Sequence, residues 1–253
     1  MKATIERATL LRSLSHVQSV VERRNTIPIL SNVLIDADEG GGVKVMATDL
    51  DLQVVETMTA ASVESGGAIT VSAHLLFDIA RKLPDGSQVS LETADNRMVV
   101  KAGRSRFQLP TLPRDDFPVI VEGELPTSFE LPARELAELI DRTRFAISTE
   151  ETRYYLNGIF LHVSDEQRPV LKAAATDGHR LARYTIDRPE GAAGMPDVIV
   201  PRKAVAELRK LLEEALDSNV QIDLSASKIR FALGGEGGVV LTSKLIDGTF
   251  PDY

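Results

Sequence analysis

Residues 176–181 read Thr-Asp-Gly-His-Arg-Leu, and residues 48–51 read Thr-Asp-Leu-Asp. Each Thr-Asp pair follows one run of strand-forming residues and precedes another, which is the pattern of two strands joined by a tight turn. Aspartate favours turns because its carboxylate accepts hydrogen bonds from nearby backbone amides. Because the same turn occurs twice in 253 residues, the sequence indicates an internal repeat.

Other segments support this repeat. Leu30–Ile35 corresponds to Leu156–Leu161, and Phe117-Pro118 corresponds to Phe250-Pro251. Each half also contains the same smaller unit twice, a strand followed by a helix and three strands. Two similar but independent α+β domains are the alternative, which the shared Phe-Pro ending makes weaker.

The predicted elements define the fold class. Apolar periodicity predicts four helices, at 7–24, 73–83, 133–145 and 202–217. Among the strands, 29–36 is predicted as one continuous strand, and Ser65-Gly66-Gly67 as a loop. We therefore expect an α+β fold with two tandem pseudo-symmetric domains, 1–124 and 125–253. Each domain would have two helices packed on antiparallel sheets.

Composition excludes several classes of site and protein. Cysteine is absent, so disulfides, thiolate metal sites and cysteine nucleophiles are excluded. The chain contains no apolar run of the roughly 18 residues needed to span a bilayer, and the N-terminus has no signal-peptide core. We therefore expect a soluble cytoplasmic protein with no membrane partner.

The net charge of −8 by itself argues against a nucleic-acid partner. The distribution of the charges along the chain changes that conclusion. The four predicted helices together carry more Lys and Arg than Asp and Glu. In the first helix, Arg12, His16 and Arg23 are predicted on the face opposite the apolar residues, where a solvated surface is the alternative explanation. In the last helix, the alternating Lys and Glu residues between Lys203 and Glu214 also fit an intrahelical ladder of ion pairs.

The segment 176–181 itself allows three interpretations: a catalytic cluster, a metal site or the wall of a binding pocket. As an enzyme, the chain could use Asp177 and His179 as an acid–base pair, with Ser164 or Thr176 as nucleophile. No nucleophile elbow or phosphate-binding loop occurs, and no two of the four histidines lie at metal-ligand spacing. We therefore expect no catalytic residue, no metal and no cofactor.

Four motifs resemble a known family, the bacterial DNA polymerase III beta subunit, or sliding clamp. They are Pro28-Ile29-Leu30-Ser31-Asn32 after Arg24; Gly103-Arg104-Ser105-Arg106-Phe107; Arg153-Tyr154-Tyr155-Leu156-Asn157-Gly158 leading to Thr176–Leu181; and Val200-Pro201-Arg202-Lys203 leading to Ser243–Tyr253. The similarity extends along the whole chain.

This resemblance implies a DNA-clamp fold and a processivity factor that is not itself an enzyme. Clamp subunits of this kind have three copies of one domain and join head to tail as a homodimeric ring around duplex DNA. The ring tethers the polymerase III alpha subunit, the clamp loader and other proteins that carry a clamp-binding motif. The third domain has no counterpart in these 253 residues, so we expect a two-domain fragment that is monomeric.

The resemblance also implies two sets of site residues. One wall of a pocket for partner peptides matches Leu156, Thr176, Gly178, His179, Arg180, Leu181 and Pro251. DNA contacts match Arg24, Tyr154, Tyr155, Arg202 and Lys203. The family's pattern predicts a basic residue and an amide where this chain has His74 and Glu150. A scaffold that binds peptides but not DNA remains the third functional class.

Overall fold

The computed structural model describes residues 1–23, 25–121, 123–165, 168–235 and 238–253. The chain divides into two compact units. The first comprises Met1–Ile120 and a short segment that ends at Val239, and the second comprises Val121–Gly235 and Val240–Tyr253. Among the described helices, none is both long and apolar enough to cross a membrane.

The first unit has two helices and nine strands in its described part. The elements are β1 (Lys2–Glu6), α1 (Arg7–Gln18), β2 (Asn32–Ala37), β3 (Gly42–Thr48), β4 (Leu52–Thr59), β5 (Ser62–Ser65), β6 (Gly67–Ser72), α2 (Ala73–Lys82), β7 (Gln88–Ala94), β8 (Arg97–Ala102) and β9 (Ser105–Leu112). The strands are ordered β4-β3-β2-β6-β9-β8-β7-β1-β5, with antiparallel pairing throughout. β6 and β9 pair only at two positions, so this sheet consists of two halves.

The second unit has the same plan. Its elements are β10 (Thr127–Pro132), α3 (Ala133–Thr143), β11 (Gly158–Ser164), β12 (Val170–Thr176), β13 (Leu181–Asp187), β14 (Val198–Pro201), α4 (Arg202–Glu213), β15 (Asn219–Leu224), β16 (Lys228–Leu233) and β17 (Val239–Lys244). One set of strands is ordered β10-β15-β16-β17 and the other β13-β12-β11-β14. The strand order matches that of the first unit, with β5 as the additional strand there. The predicted α+β fold with a repeated plan is thus confirmed.

The helices pack by burying one apolar stripe on the sheet beneath. In α1, Leu10, Leu14 and Val17 are fully buried, and the helix packs on α2, β3 and β4. The carboxylate of Glu6 accepts a hydrogen bond from the Thr9 amide at 3.2 Å, which caps the first turn. In the second unit α3 packs on α4, β12 and β13.

Two predicted helices extend too far at their C-terminal ends. α1 was expected to reach Arg24, but it ends at Gln18 because the amides of Val20 and Val21 bond three residues back, as in a turn. α4 was expected to reach residue 217, but it ends at Glu213, and the Ala215 amide likewise bonds three residues back. The apolar spacing continues past the C-terminal ends of both helices, so periodicity alone could not predict where the helices end.

Other boundaries differ for local reasons. The predicted strand 29–36 begins only at Asn32, because Pro28–Ser31 forms a 3-10 turn with its proline at the first position. The Ser62–Ser65 strand was missed because its polar residues show no alternation. It pairs with β1 as an edge strand. α3 stops at Thr143 and is followed by a 3-10 turn, Arg144–Ala146.

The repeated sequence segments form matching core clusters. In the first unit Ile29, Leu30 and Leu34 pack with Phe117. In the second, Leu156 packs with Ala174, Ile199 and Phe250, and Phe160 lies against them. The phenylalanines of the two Phe-Pro segments therefore pack in equivalent core clusters of the two units.

Candidate functional site

Thr176 fixes the path of the turn that joins β12 and β13. Its hydroxyl donates to the Arg180 carbonyl at 2.7 Å and accepts from the Gly178 amide at 3.1 Å. The backbone at Gly178 has a φ of +88°, in the left-handed region that favours glycine. A Cβ at this position would also lie 2.6 Å from Nη1 of Arg153, which packs over the turn. Glycine is therefore favoured both by the backbone and by its neighbour.

Asp177 holds the rest of the turn. Its Oδ1 accepts from the amides of His179 and Arg180, both at 3.0 Å, and its Oδ2 accepts from Arg180 Nε at 2.9 Å. The two backbone hydrogen bonds, with the Arg180 side chain, lower the pKa of the Asp177 carboxyl to about 2. A carboxylate of such low pKa is a poor general base near neutral pH.

The enzyme interpretation also fails on position. Ser164 pairs with Val170, six residues along β12 from Thr176, so about 20 Å separates it from the turn. The hydroxyl of Thr176 is already committed to the turn. Neither of the two candidate nucleophiles, Ser164 and Thr176, is therefore placed to act with Asp177 and His179.

The corresponding turn in the first unit is built in the same way. The Leu50 amide donates to the Thr48 hydroxyl at 3.1 Å. Asp49 Oδ1 accepts from the amides of Asp51 and Leu52 at 3.0 Å and 2.7 Å. Leu50 takes the left-handed position of Gly178, with a φ of +82°. The Thr-Asp pair is therefore a structural device common to both units, and only the side chains after Asp177 are particular to the second.

Several large side chains are exposed near this turn. Leu181 is 48% exposed and Tyr154 is 55% exposed. Phe145, which the sequence analysis did not select, is 57% exposed, and its ring centroid lies 5.7 Å from Cζ of Arg180. Helical periodicity does not identify it, because α3 ends at Thr143 and Phe145 lies in the 3-10 turn that follows.

The remaining two residues of the expected pocket wall lie elsewhere. Leu156 is only 4% exposed, so its side chain belongs to the core and offers no open surface. Pro251 lines a separate open cavity of about 670 Å³, beside Phe160, His162 and Tyr253. The described lining of that cavity does not include Thr176–Leu181. The structure therefore brings Thr176, Gly178, His179, Arg180 and Leu181 together, but not all seven residues.

The residues expected to contact DNA are placed as follows. Arg202 and Lys203 open α4, with the Arg202 amide bonded to the Asn157 carbonyl at 2.9 Å. Tyr154 and Tyr155 meet edge to face at 5.8 Å, with Tyr155 against the core cluster. Arg24 lies outside the described residues.

Part of the expected basic surface is internally paired. Lys210 contacts Glu207 at 2.8 Å, which confirms the ladder interpretation for that pair. Arg209 contacts Asp141 at 2.9 Å. The exposed position predicted for His16 is wrong, because its Nδ1 lies 2.7 Å from Glu56 Oε2 and both side chains are more than nine-tenths buried.

Within the ranges that the structure describes, no three or more His, Asp or Glu side chains are grouped so that they could hold a metal ion.

Comparison with known proteins identifies the family. The sequence model of the DNA polymerase III beta subunit N-terminal domain matches residues 1–121, and that of its central domain matches residues 130–252. The chain belongs to this family. The family is a non-catalytic subunit of DNA polymerase III.

Full-length relatives show how much of the family's length is covered. The chain is 54% identical over 256 residues to the beta sliding clamp of Caulobacter vibrioides, and covers 67% of it. It is 44% identical to that of Pseudomonas aeruginosa, again over 67% of the relative. A crystal structure of the Bartonella birtlesii sliding clamp bound to griselimycin superposes with a TM-score of 0.96 at 55% identity. All of this chain and 67% of that one are covered.

Proposed function

We propose that the protein to which this chain belongs is a ring-forming sliding clamp, which encircles duplex DNA and holds the replicative polymerase on it. The observation that carries this proposal is the tandem match to two successive clamp domains, on two units of the same strand order. We assign the domains to residues 1–124 and 125–253, and the protein to the cytoplasm, where a replication factor acts. A head-to-tail homodimer would complete the ring.

Contact with DNA would use the sugar–phosphate backbone without reading bases, since a clamp must slide. We assign this contact to Arg24, Arg202 and Lys203, and assign stacking on unpaired bases to Tyr154 and Tyr155. The exposed position of Arg202 and Tyr154 supports this assignment. α1, α2 and α4 each carry more Lys and Arg than Asp and Glu, whereas α3 does not.

Partner proteins would dock an extended peptide on the turn after β12. The polymerase III alpha subunit, the clamp loader and other proteins with a clamp-binding motif are the expected partners. Exposed Leu181 offers apolar surface for an anchor side chain, and Gly178 beside it is also exposed. Thr176, His179 and Arg180 supply polar groups, Leu156 packs in the core against Ala174 of β12, and Pro251 would lie at the margin.

Substitution of the two cations that open α4 tests the DNA assignment. Arg202→Ala and Lys203→Ala in the full-length protein should each weaken DNA binding. Each should also reduce the slope of log affinity against log salt by about 1, as expected when one phosphate contact is lost. Fluorescence anisotropy on a duplex at several salt concentrations measures both effects.

Arg168→Ala provides the control, because Arg168 is an exposed arginine outside the helices, near Asp187. Its slope should remain that of the wild type. An unchanged slope in both α4 variants would remove these residues from the DNA-binding surface.

A further inference from the structure

In the first unit, Gln53 of β4 takes the position that Leu181 has in the second. In the pairing of β3 with β4, Gln53 lies opposite Thr48, the threonine of the Thr-Asp turn. In the pairing of β12 with β13, Leu181 lies opposite Thr176 in the same way. The two positions are equivalent in the repeat, yet Leu181 is exposed whereas Gln53 is buried. The counterpart turn of the first unit, residues 48–53, is therefore covered at this point.

A segment of the same unit, Phe117–Ile120, contacts the Gln53 side chain. The Ile120 amide donates to Gln53 Oε1 at 2.9 Å, and this hydrogen bond is buried. The Ile120 side chain is buried as well, and Phe117, at the other end of the segment, packs in the core cluster of the unit. This closing segment is thus held at both ends, by an apolar contact and by a hydrogen bond to β4.

The equivalent segment of the second unit, Phe250–Tyr253, makes a different contact. Its last residue, Tyr253, is exposed, and the Tyr253 hydroxyl lies 2.6 Å from Nε2 of His162 on β11. Leu181 has no acceptor that could hold a backbone amide. Glutamine in one unit and leucine in the other therefore explain why only the position of Gln53 is hydrogen-bonded to its segment.

Displacement of the closing segment from Gln53 would break a buried hydrogen bond. The Ile120 amide and Gln53 Oε1 both lie inside the protein, where a polar group without a partner is costly. The segment is also part of the chain, so it competes with a free peptide at a high effective concentration. A peptide that meets the counterpart turn therefore meets a surface that is already occupied.

We infer that Gln53 is a positioning residue that holds the closing segment over the counterpart turn and so keeps partner peptides from docking there. Ile120, with its buried aliphatic side chain, takes the place that a partner's apolar anchor would take. This inference rests on the proposed docking function. It adds a determinant of which of the two units binds a peptide.

Nuclear magnetic resonance of the 253-residue chain tests this inference. The probe is a synthetic peptide with the clamp-binding motif of the polymerase III alpha subunit. In wild type, the peptide should shift the amide signals of residues 178–181 and leave those of residues 50–53 unchanged. Gln53→Leu introduces the residue type of the equivalent position. It should speed hydrogen exchange of the Ile120 amide about tenfold, through the loss of one buried hydrogen bond, and it should allow the peptide to shift residues 50–53 as well.

Two further variants separate this hydrogen bond from general stability. Gln53→Glu keeps an acceptor oxygen in either protonation state, so exchange at Ile120 should stay slow and residues 50–53 should stay unshifted by the peptide. Asn32→Leu removes another buried amide of the same unit, which donates to Thr70 Oγ1 at 3.1 Å. This control should match wild type in both measurements.

The outcomes distinguish this inference from the docking function. Unchanged Ile120 exchange in Gln53→Leu, or equal acceleration in Asn32→Leu, would overturn the role of Gln53. Peptide shifts at residues 50–53 in wild type would show that the segment does not close the counterpart turn. Faster Ile120 exchange in Gln53→Leu without those shifts would show that the segment covers no docking surface. Absence of shifts at residues 178–181 in wild type and in every variant would instead contradict the docking function itself.

Discussion

The sequence around Asp177 is typical of a catalytic cluster, but the role of this side chain is structural. An acid, an imidazole and a guanidinium are adjacent in sequence, yet all the described hydrogen bonds of Asp177 stabilise the turn. The equivalent Asp49 makes the same two kinds of backbone contact without a histidine or arginine beside it. Sequence reasoning predicted the shared turn from the repeat. It could not predict Phe145, whose contact with Arg180 depends on where α3 ends.

The acid titration of Asp177 provides a direct test of this role. Its folded pKa, about 2, lies below the value near 3.9 of an unfolded chain. The stabilisation it gives is therefore fully present above pH ~4 and is lost as the pH falls towards 2. Carbon-detected NMR should show the side-chain carboxyl titrating near pH 2, and a midpoint near 4 would contradict the hydrogen-bonded turn.

Substitution of Gly178 should have two separate effects, one on the backbone of the turn and one on the neighbouring Arg153 side chain. Gly178→Ala should destabilise the chain by about 1 kcal/mol, since alanine is strained at positive φ. It should also displace the flexible tip of Arg153 and weaken peptide binding severalfold. Denaturant titration and calorimetry measure the two effects.

Gly194 is the matched control, because it has a φ of +72° and nothing lies within 4 Å of an added Cβ. Gly194→Ala should cost about the same stability by the same strain, with unchanged peptide binding. Peptide affinity that falls equally in both variants would attribute the loss to general destabilisation.

At the level of elements, starts of helices were predictable and ends were not. α2, α3 and α4 begin at the predicted residues because a strand leads directly into each one. Their ends depend on local hydrogen bonds: Thr143 Oγ1 bonds back to the Leu139 carbonyl at 2.8 Å where α3 stops. Apolar periodicity also cannot predict contacts between residues far apart in the sequence, and it wrongly predicted His16 on a solvated face.

The His16–Glu56 pair links α1 to β4 inside the first unit. His16→Ala would leave the Glu56 carboxylate buried without this partner, and it should destabilise these elements by about 3 kcal/mol. Hydrogen exchange of amides in α1 and β4 measures this local stability in the whole chain.

Lys2→Ala gives the comparison with an exposed pair, because Lys2 and Glu64 have side chains 38% and 55% exposed. Its cost should be below about 1 kcal/mol. Equal protection in the His16 variant and the wild type would show that the buried pair contributes little to stability.

At the level of the whole molecule, a net charge of −8 and a role on DNA are compatible. α1, α2 and α4 each carry more Lys and Arg than Asp and Glu although the whole chain is acidic, so the sign of the total charge does not describe every surface of the molecule. The family could be inferred from motifs spread along the chain, whereas the burial of Leu156 and the exposure of Phe145 and Leu181 required coordinates.

Topological retention on DNA tests the central claim most directly. Full-length protein is loaded by its clamp loader onto a nicked circular plasmid, washed at high salt and then followed after the plasmid is linearised. A ring should remain on the circle in salt that abolishes electrostatic binding, and it should leave within minutes from the ends of linear DNA. Equal rates of loss from circular and linear DNA would contradict the sliding-clamp account.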